Sequence, residues 1–323
     1  MRVVYWARFP LAKARIVERL GQVPGVDLDI VDSLQRALAA LPGAEALILF
    51  DAPAAEARQV VQALAAPGNT VRWMHFISAG REGFQAAGLP QGIVVSYAAG
   101  AVAATVAEHA MALMLALGRR IPEIAAQTRE RRWDRAIAAR ATSLEGQTLA
   151  IVGLGHIGAE LARRARAFGM RVVAVTRSAK ASGDVDAVAG LDALHRVLGE
   201  ADVVVIAIAL TAATHHLIDA AALASCRPGA TIVNVARGSV IDQAALGEAL
   251  RSGRIGAAGL DVTDPEPLPA DDPLWTCPNL LISPHFGGAG SRASVERLAA
   301  SVVDNLERLR SGAPLAHTVE RGS

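Results

Sequence analysis

The sequence predicts an α/β chain with two domains, each built on a parallel sheet. A length of 323 residues allows two domains. Short apolar runs of strand length alternate with amphipathic stretches of helix length, the pattern of successive β-α-β units. The alternation pauses at one long helical stretch near residue 100 and then begins again.

In the first hundred residues Val3–Trp6, Val26–Val31, Ala46–Phe50, Trp73–Ile77 and Ile93–Ser96 read as strands, with helices over Leu11–Leu20 and Ala54–Leu64. A helix from about Ala101 to Arg119 follows. At 1.5 Å per residue it would span roughly 28 Å, enough to join two domains. The second alternation has six strands: Thr148–Val152, Arg171–Val175, Val203–Ala209, Thr231–Val235, Ala257–Val262 and Leu280–Ser283. From Ser294 to Arg310 the apolar residues Val295, Leu298, Val302, Val303, Leu306 and Leu309 recur at helical spacing, so this segment is expected to pack back on the first domain. The expected division is 1–98 with 288–323 for one domain and 99–287 for the other.

Composition narrows the function classes. With 52 % hydrophobic and 20 % charged residues, the chain can bury a large core and is not a disordered segment. A net charge of +1 without a basic stripe points away from nucleic acid and anionic membranes. No apolar run reaches membrane-spanning length, and Met1–Trp6 is too short for a signal peptide. Cys226 and Cys277 form no CxxC pair and read as small buried residues, so a reducing, cytoplasmic compartment is expected. The histidines show no HExxH or other ligand spacing, and no catalytic metal is expected. Trp133 and Trp275 read as packing residues.

Leu149-Ala150-Ile151-Val152 leads into Gly153-Leu154-Gly155-His156-Ile157-Gly158, and Ile157, Leu161, Ala165 and Phe168 then share a helix face. A GxGxxG between strand and amphipathic helix is a dinucleotide-binding pattern. Gly153 allows the tight turn, Gly155 lets the backbone approach a pyrophosphate, and Gly158 lets helix and sheet pack closely. The helix N-terminus, with His156 and Ile157, supplies N–H groups and partial positive charge. The six strands therefore fit a Rossmann coenzyme domain, with a flavodoxin-like doubly wound domain before it. The next strand ends in Thr176-Arg177-Ser178, where an NAD site usually has Asp or Glu for the adenosine ribose. Without that carboxylate a 2′-phosphate meets no repulsion; Arg177 can pair with it and Ser178 can donate a hydroxyl. NADP(H) is the preferred cofactor on this reading, with NAD(H) possible. The plainer alternative makes Arg177 and Lys180 solvated charges.

The remaining strand ends carry unusual residues. Val203–Ala209 runs to Leu210-Thr211, and Thr231–Val235 to Ala236-Arg237-Gly238. Ala257–Val262 contains Asp261 and runs to Asp264-Pro265-Glu266-Pro267; Leu280–Ser283 runs to Pro284-His285-Phe286-Gly287. Ligands of open parallel sheets bind beyond the carboxyl ends of strands, so these residues share an edge with the glycine loop.

With these motifs the sequence resembles the D-isomer-specific 2-hydroxyacid dehydrogenases. The resemblance rests on Asn234–Gly238, Leu260-Asp261-Val262 with Glu266-Pro267-Leu268, Ser283-Pro284-His285, Leu144-Glu145-Gly146 and Val106–His109. It covers the coenzyme half almost throughout; the first hundred residues match chiefly at Ser78-Ala79-Gly80. Thr176-Arg177-Ser178 looks most like the NADPH-dependent glyoxylate/hydroxypyruvate reductases. The resemblance implies that His285 gives and takes the substrate proton, that Glu266 supports the imidazolium, and that Arg237 binds the substrate carboxylate and polarises the carbonyl. It places backbone N–H groups of Ser78, Ala79 and Gly80 on that carboxylate, and Thr211, Ala236, Asp261 and Gly287 at the cofactor, with Asp261 on the nicotinamide carboxamide. A small 2-oxo acid as substrate and a homodimer joined through the coenzyme domains are implied too.

The sequence departs from the family at Ala209, where proline is common, and at Arg81-Glu82, where Val-Asp is more usual. Arg81 either meets a second acidic group on the substrate or points to solvent, and solvent is the preferred expectation. Three other readings compete: a dinucleotide-sensing regulator of the same fold, an NAD-dependent dehydrogenase of a different 2-oxo acid, and a formate dehydrogenase. Glu266 argues against the last, because that branch carries Gln beside its histidine.

Overall fold

A computed structural model describes residues 1–177 and 184–319. They form two compact units, residues 1–102 with 290–323 and residues 103–289.

In the first unit strands β1 (Arg2–Trp6), β2 (Asp27–Val31), β3 (Ala46–Leu49), β4 (Trp73–Phe76) and β5 (Val94–Tyr97) form a parallel sheet in the order β2-β1-β3-β4-β5. This is the doubly wound order of flavodoxin-like domains. Both faces are covered, so β3 and β4 are buried along their whole length. Side chains alternate between the faces: Tyr5 and Ile48 join one core, while Trp6, Leu47 and Leu49 join the other. Helix α1 (Lys13–Gly21) and the C-terminal helix (Arg292–Ser311) cover the first face. Leu298, Val302 and Leu306 supply its apolar stripe, and Arg15 and Arg19 both pair with Glu296. Helices α2 (Leu34–Ala40), α3 (Ala54–Leu64) and α4 (Glu82–Ala87) cover the other face. The sequence reading missed α2 and α4, which have seven and six residues and too few turns to show a helical period.

The second unit opens with α5 (Ala103–Gly118) and α6 (Ile121–Arg129). Helix α5 covers the second sheet, with Val106, Ala107, Ala110, Met111, Leu113 and Met114 buried. A side chain at Gly259 would meet Leu113 Cβ at 3.1 Å, so this glycine lets helix and strand approach. The sheet contains β6 (Thr148–Val152), β7 (Arg171–Val175), β8 (Ala187–Ala189), β9 (Val203–Ile206), β10 (Ala230–Asn234), β11 (Ile255–Leu260) and β12 (Leu280–Ile282). Helices α7 (His156–Ala167), α8 (Leu194–Glu200), α9 (Ala220–Ser225) and α10 (Gln243–Arg251) lie between them. The strand order β8-β7-β6-β9-β10-β11-β12 is the Rossmann order with one strand added. The six strands read from sequence become seven because β8 is a three-residue edge strand that is only partly buried. Strand β9 also stops at Ile206, short of the expected Ala209. The chain then turns: Thr214 Oγ1 donates to Ala209 O at 2.7 Å and accepts from Thr211 N.

Both cysteines are buried and unbridged. Trp133 and Trp275, expected as packing residues, are 93 % and 52 % exposed. Among the described residues no helix is long and apolar enough to cross a membrane.

His75 is a wholly buried polar residue in the first core. Its Nδ1 lies 2.9 Å from Ser96 Oγ and its Nε2 lies 2.9 Å from Ser301 Oγ. One proton arrangement satisfies Trp73, Ser96 and both ring nitrogens: Trp73 Nε1–H donates to Ser96, whose hydroxyl donates to Nδ1, and Nε2–H donates to Ser301. Burial, then the nearby His317, pushes the His75 pKa down from 6.5 to about 3. The unfolded chain therefore takes up a proton below pH 6.5 that the folded chain refuses until about 3. Stability contributed above pH 6.5 is lost as pH falls through this window, about 2 kcal/mol by pH 5. Urea midpoints measured from pH 7.5 to 4.5 should show this decline. His75→Asn should be less stable at pH 7.5 but flatter across the range; an equally steep variant would remove His75 as the cause.

Candidate active site

The glycine loop lies where the second sheet reverses strand order, between β6 and β9. Gly153 has φ 103°, and a Cβ there would stand 2.7 Å from Ala207 O and the Ile208 backbone. At Gly158 a Cβ would be 2.2 Å from Gly153 O, so the first turn of α7 packs directly on the loop. Gly155 differs: a Cβ would meet no protein atom within 4 Å. Protein packing thus explains two of the glycines and leaves the third facing open space at the N-terminus of α7. That end has no side-chain cap and no acidic residue in its first turn. Open room beside uncapped N–H groups, including those at His156 and Ile157, fits a pyrophosphate. At the end of β7, Thr176 N donates to Ala189 O at 2.9 Å, and Arg177 is exposed. Ser178 and Lys180, the other residues weighed for the adenosine end, lie outside the described residues.

The turn after β10 is organised by Asn234, whose side chain is buried. Its Oδ1 accepts from Ala236 N at 3.0 Å and its Nδ2 donates to Arg237 O at 2.9 Å. Arg237 is half-buried, with Nη1 donating to Ala236 O at 2.7 Å. A Cβ at Gly238 would lie 2.1 Å from the Thr263 carbonyl, so the turns after β10 and β11 are in contact.

The turn after β11 presents Glu266. Glu266 Oε1 accepts from Thr263 N at 3.2 Å, while Oε2 accepts from His285 Nδ1 at 2.8 Å. That bond puts the ring proton on Nδ1 and leaves Nε2 as the atom for exchange with a ligand. The Glu266 hydrogen bond raises the His285 pKa; burial and the Arg237 charge oppose the rise, and the charges of Glu266 and Asp261 add to it.

Asp261 is 4 % exposed and lies beneath the His285 loop. Its Oδ1 accepts from Ser283 Oγ at 2.7 Å and from Phe286 N at 3.1 Å; Oδ2 accepts from Gly287 N at 3.0 Å. Ser283 also accepts from His109 Nε2 at 2.9 Å. His109, Ser283, Asn234 and Thr263 were not singled out as site residues from sequence. His109 and Ser283 stand 174 positions apart, so no local spacing signals their contact.

In the first unit Ser78 Oγ donates to Gly80 O at 2.8 Å and accepts from Asp51 N at 3.1 Å. Asp51 in turn accepts from Gly83 N and Phe84 N at the start of α4. The structure thus groups His285, Glu266, Arg237 and Asp261 at the carboxyl ends of β10, β11 and β12, and Gly153–Gly158 at that of β6. Thr211 and Ala236 lie on the same edge, after β9 and β10. Ser78, Ala79 and Gly80 lie after β4 in the other unit. Among the described residues no group of three His, Cys, Asp or Glu side chains is placed to hold a metal ion.

Residues 111–287 match the family model for the D-isomer specific 2-hydroxyacid dehydrogenase, NAD binding domain. Glyoxylate/hydroxypyruvate reductase B of Pectobacterium atrosepticum is 38 % identical over 240 residues, 73 % of this chain and 75 % of the relative. The crystal structure of a D-isomer specific 2-hydroxyacid dehydrogenase family protein from Aeromonas salmonicida superposes with a TM-score of 0.83 at 30 % identity, covering 99 % of this chain and 98 % of that one. A D-isomer specific 2-hydroxyacid dehydrogenase from Xanthobacter autotrophicus, in complex with NADPH and MES, gives 0.80 at 26 % identity and the same coverage. The chain belongs to the D-isomer specific 2-hydroxyacid dehydrogenases, NAD(P)-dependent oxidoreductases of small 2-oxo and 2-hydroxy acids.

Proposed function

We propose that this protein is an NADP(H)-preferring reductase of small 2-oxo acids of the glyoxylate/hydroxypyruvate type. The observation that carries the reading is the His285–Glu266 hydrogen bond of 2.8 Å on the strand edge that also bears Arg237 and the glycine loop. The glyoxylate/hydroxypyruvate reductase B relative supports the substrate class.

Bound NADP(H) supplies or accepts the hydride. Gly155, His156 and Ile157 would hold its pyrophosphate on a loop whose tight packing Gly153 and Gly158 permit, and Thr211, Ala236 and Gly287 would line the rest of its path. Asp261 braces the His285 loop and is assigned to the nicotinamide carboxamide. Arg237 is assigned to the substrate carboxylate, which its planar fork would bind while polarising the carbonyl; backbone N–H groups of Ser78, Ala79 and Gly80 are assigned as further substrate donors. His285 delivers a proton from Nε2 to the carbonyl oxygen in reduction and recovers it in oxidation.

Reduction needs protonated His285, so its rate falls as pH rises through the raised His285 pKa. Glu266→Gln keeps a hydrogen-bonding group but removes the charge, and the pKa drops. The descending limb of kcat/KM for glyoxylate reduction should move to lower pH, and the ascending limb for glycolate oxidation should move the same way. Unshifted limbs in both directions, with a deuteride isotope effect showing that hydride transfer limits the rate, would refute the pairing.

The NADP preference rests on Thr176 and Arg177: a threonine stands at the strand end where an NAD site usually carries a carboxylate, and an exposed guanidinium follows. The NADPH complex of the Xanthobacter relative supports it. The wild type should show a higher kcat/KM for NADPH than for NADH, and Thr176→Asp with Arg177→Ala should invert the order. Equal use of both cofactors by the wild type would end this part of the proposal.

We further propose a homodimer that covers α6. This helix buries none of its side chains, leaves Ile121 and Ile124 49 % and 42 % exposed, and is followed by the exposed Trp133. Sedimentation should give twice the chain mass at micromolar concentration, and Ile124→Lys with Trp133→Ser should shift it toward the single chain. A monomeric wild type, or an unchanged dimer in the variant, would place the interface elsewhere or remove it.

A further inference from the structure

Arg81 does not extend into solvent, as the sequence suggested. Its guanidinium folds back over the Ser78–Gly80 turn. Nη1 donates to Ala79 O at 3.2 Å, and Cζ stands 4.5 Å from the centroid of the Tyr97 ring. Nε is buried and has no hydrogen-bond partner among the described residues. Among the described residues no carboxylate lies within ion-pair distance of this guanidinium, whereas Arg8, in the loop after β1, pairs with Glu56 at 3.3 Å. Asp51, the carboxylate in the neighbouring loop, is committed to Gly83 N and Phe84 N. Among the described residues one arginine of this loop cluster therefore has a carboxylate partner and the other has none. A half-buried cation with an unmet N–H is costly unless an anion meets it. Stacking on Tyr97 and the bond to Ala79 also fix the fork in place, which lowers the entropy lost when an anion binds.

We propose that Arg81 selects 2-oxo acids that carry a second carboxylate at the end remote from the 2-oxo group. The inference rests on the reading of the protein as a 2-oxo acid reductase whose Ser78–Gly80 turn holds the first carboxylate. The Ala79 contact keeps the guanidinium beside that turn, within reach of the far end of a short diacid. One unpaired positive charge balances one carboxylate; a phosphate dianion calls for further donors.

The test uses substrate pairs that differ only in the distal group. Oxaloacetate is compared with 2-oxobutyrate, 2-oxoglutarate with 2-oxopentanoate, and 3-phosphohydroxypyruvate with hydroxypyruvate. At least one diacid should exceed its methyl-ended partner in kcat/KM by about tenfold, the scale of one charge-assisted hydrogen bond. Arg81→Gln should cut that ratio by about tenfold, chiefly through KM for the diacid, and Arg81→Lys should retain much of it. Each ratio is taken within one enzyme preparation, so partial misfolding cancels. Wild-type ratios near one would overturn the proposal. So would a Gln variant that loses both members of a pair alike, which would make Arg81 a support for the turn. A preference confined to the phosphate pair would overturn the carboxylate assignment. No turnover of any 2-oxo acid with either cofactor would instead defeat the reductase reading, and this selection with it.

Discussion

The Asp261 carboxylate at the end of β11 sets the geometry of the candidate proton-transfer site. It receives the Ser283 hydroxyl and the backbone N–H groups of Phe286 and Gly287, which closes the β12 loop around one buried anion. His285 lies inside that closed segment with φ 50°, a left-handed conformation uncommon for a residue other than glycine. His285 N is also tied to Asp261 O at 2.8 Å. The side chain that reaches Glu266 is thus aimed by a backbone held from below. His109 reinforces the anchor through Ser283, so α5 contributes to the placement of His285 without carrying it.

The adjoining turns are held by the same kind of device. Asn234 satisfies the backbone of the Arg237 turn, and Gly238 permits that turn to touch Thr263. Thr263 N then holds Glu266 Oε1. Each of the proposed reactive side chains, His285, Glu266 and Arg237, stands one step beyond a buried polar residue that accepts from or donates to backbone. This arrangement keeps half-exposed groups in fixed positions, which proton transfer needs more than burial does.

Legibility from sequence followed the range of the interactions. The central strands were plain because β3, β9 and β6 after Thr148 are covered on both faces and read as continuous apolar runs, and β4 differs only in His75. The short elements α2, α4 and β8 were not, because they have too few residues to display a period. The glycine loop was visible because its constraints are local. Gly153 and Gly158 serve backbone contacts within a single turn and the neighbouring strand end. The anchor formed by His109, Ser283 and Asp261 joins residues far apart in sequence, and only the folded sheet brings them together. Arg81 was misjudged for a related reason: its partner Tyr97 lies on the next strand, and a charge after a loop looks solvated until the ring beneath it is seen.

The charges around His285 fit the proton transfer proposed for it. A bare imidazole beside Arg237 would tend to lose its proton. Glu266 reverses that tendency through the short hydrogen bond, and Asp261 adds at longer range. Burial works in the opposite direction, and it stays moderate because the side chain is 47 % exposed. A fully buried ring takes the other course: His75, between two hydroxyls and with no carboxylate partner, is driven down to about 3. The two histidines share one chemistry and differ in their neighbours. His75 is held neutral as part of the core, whereas the Glu266 carboxylate beside His285 outweighs burial and the Arg237 charge and favours its protonated form.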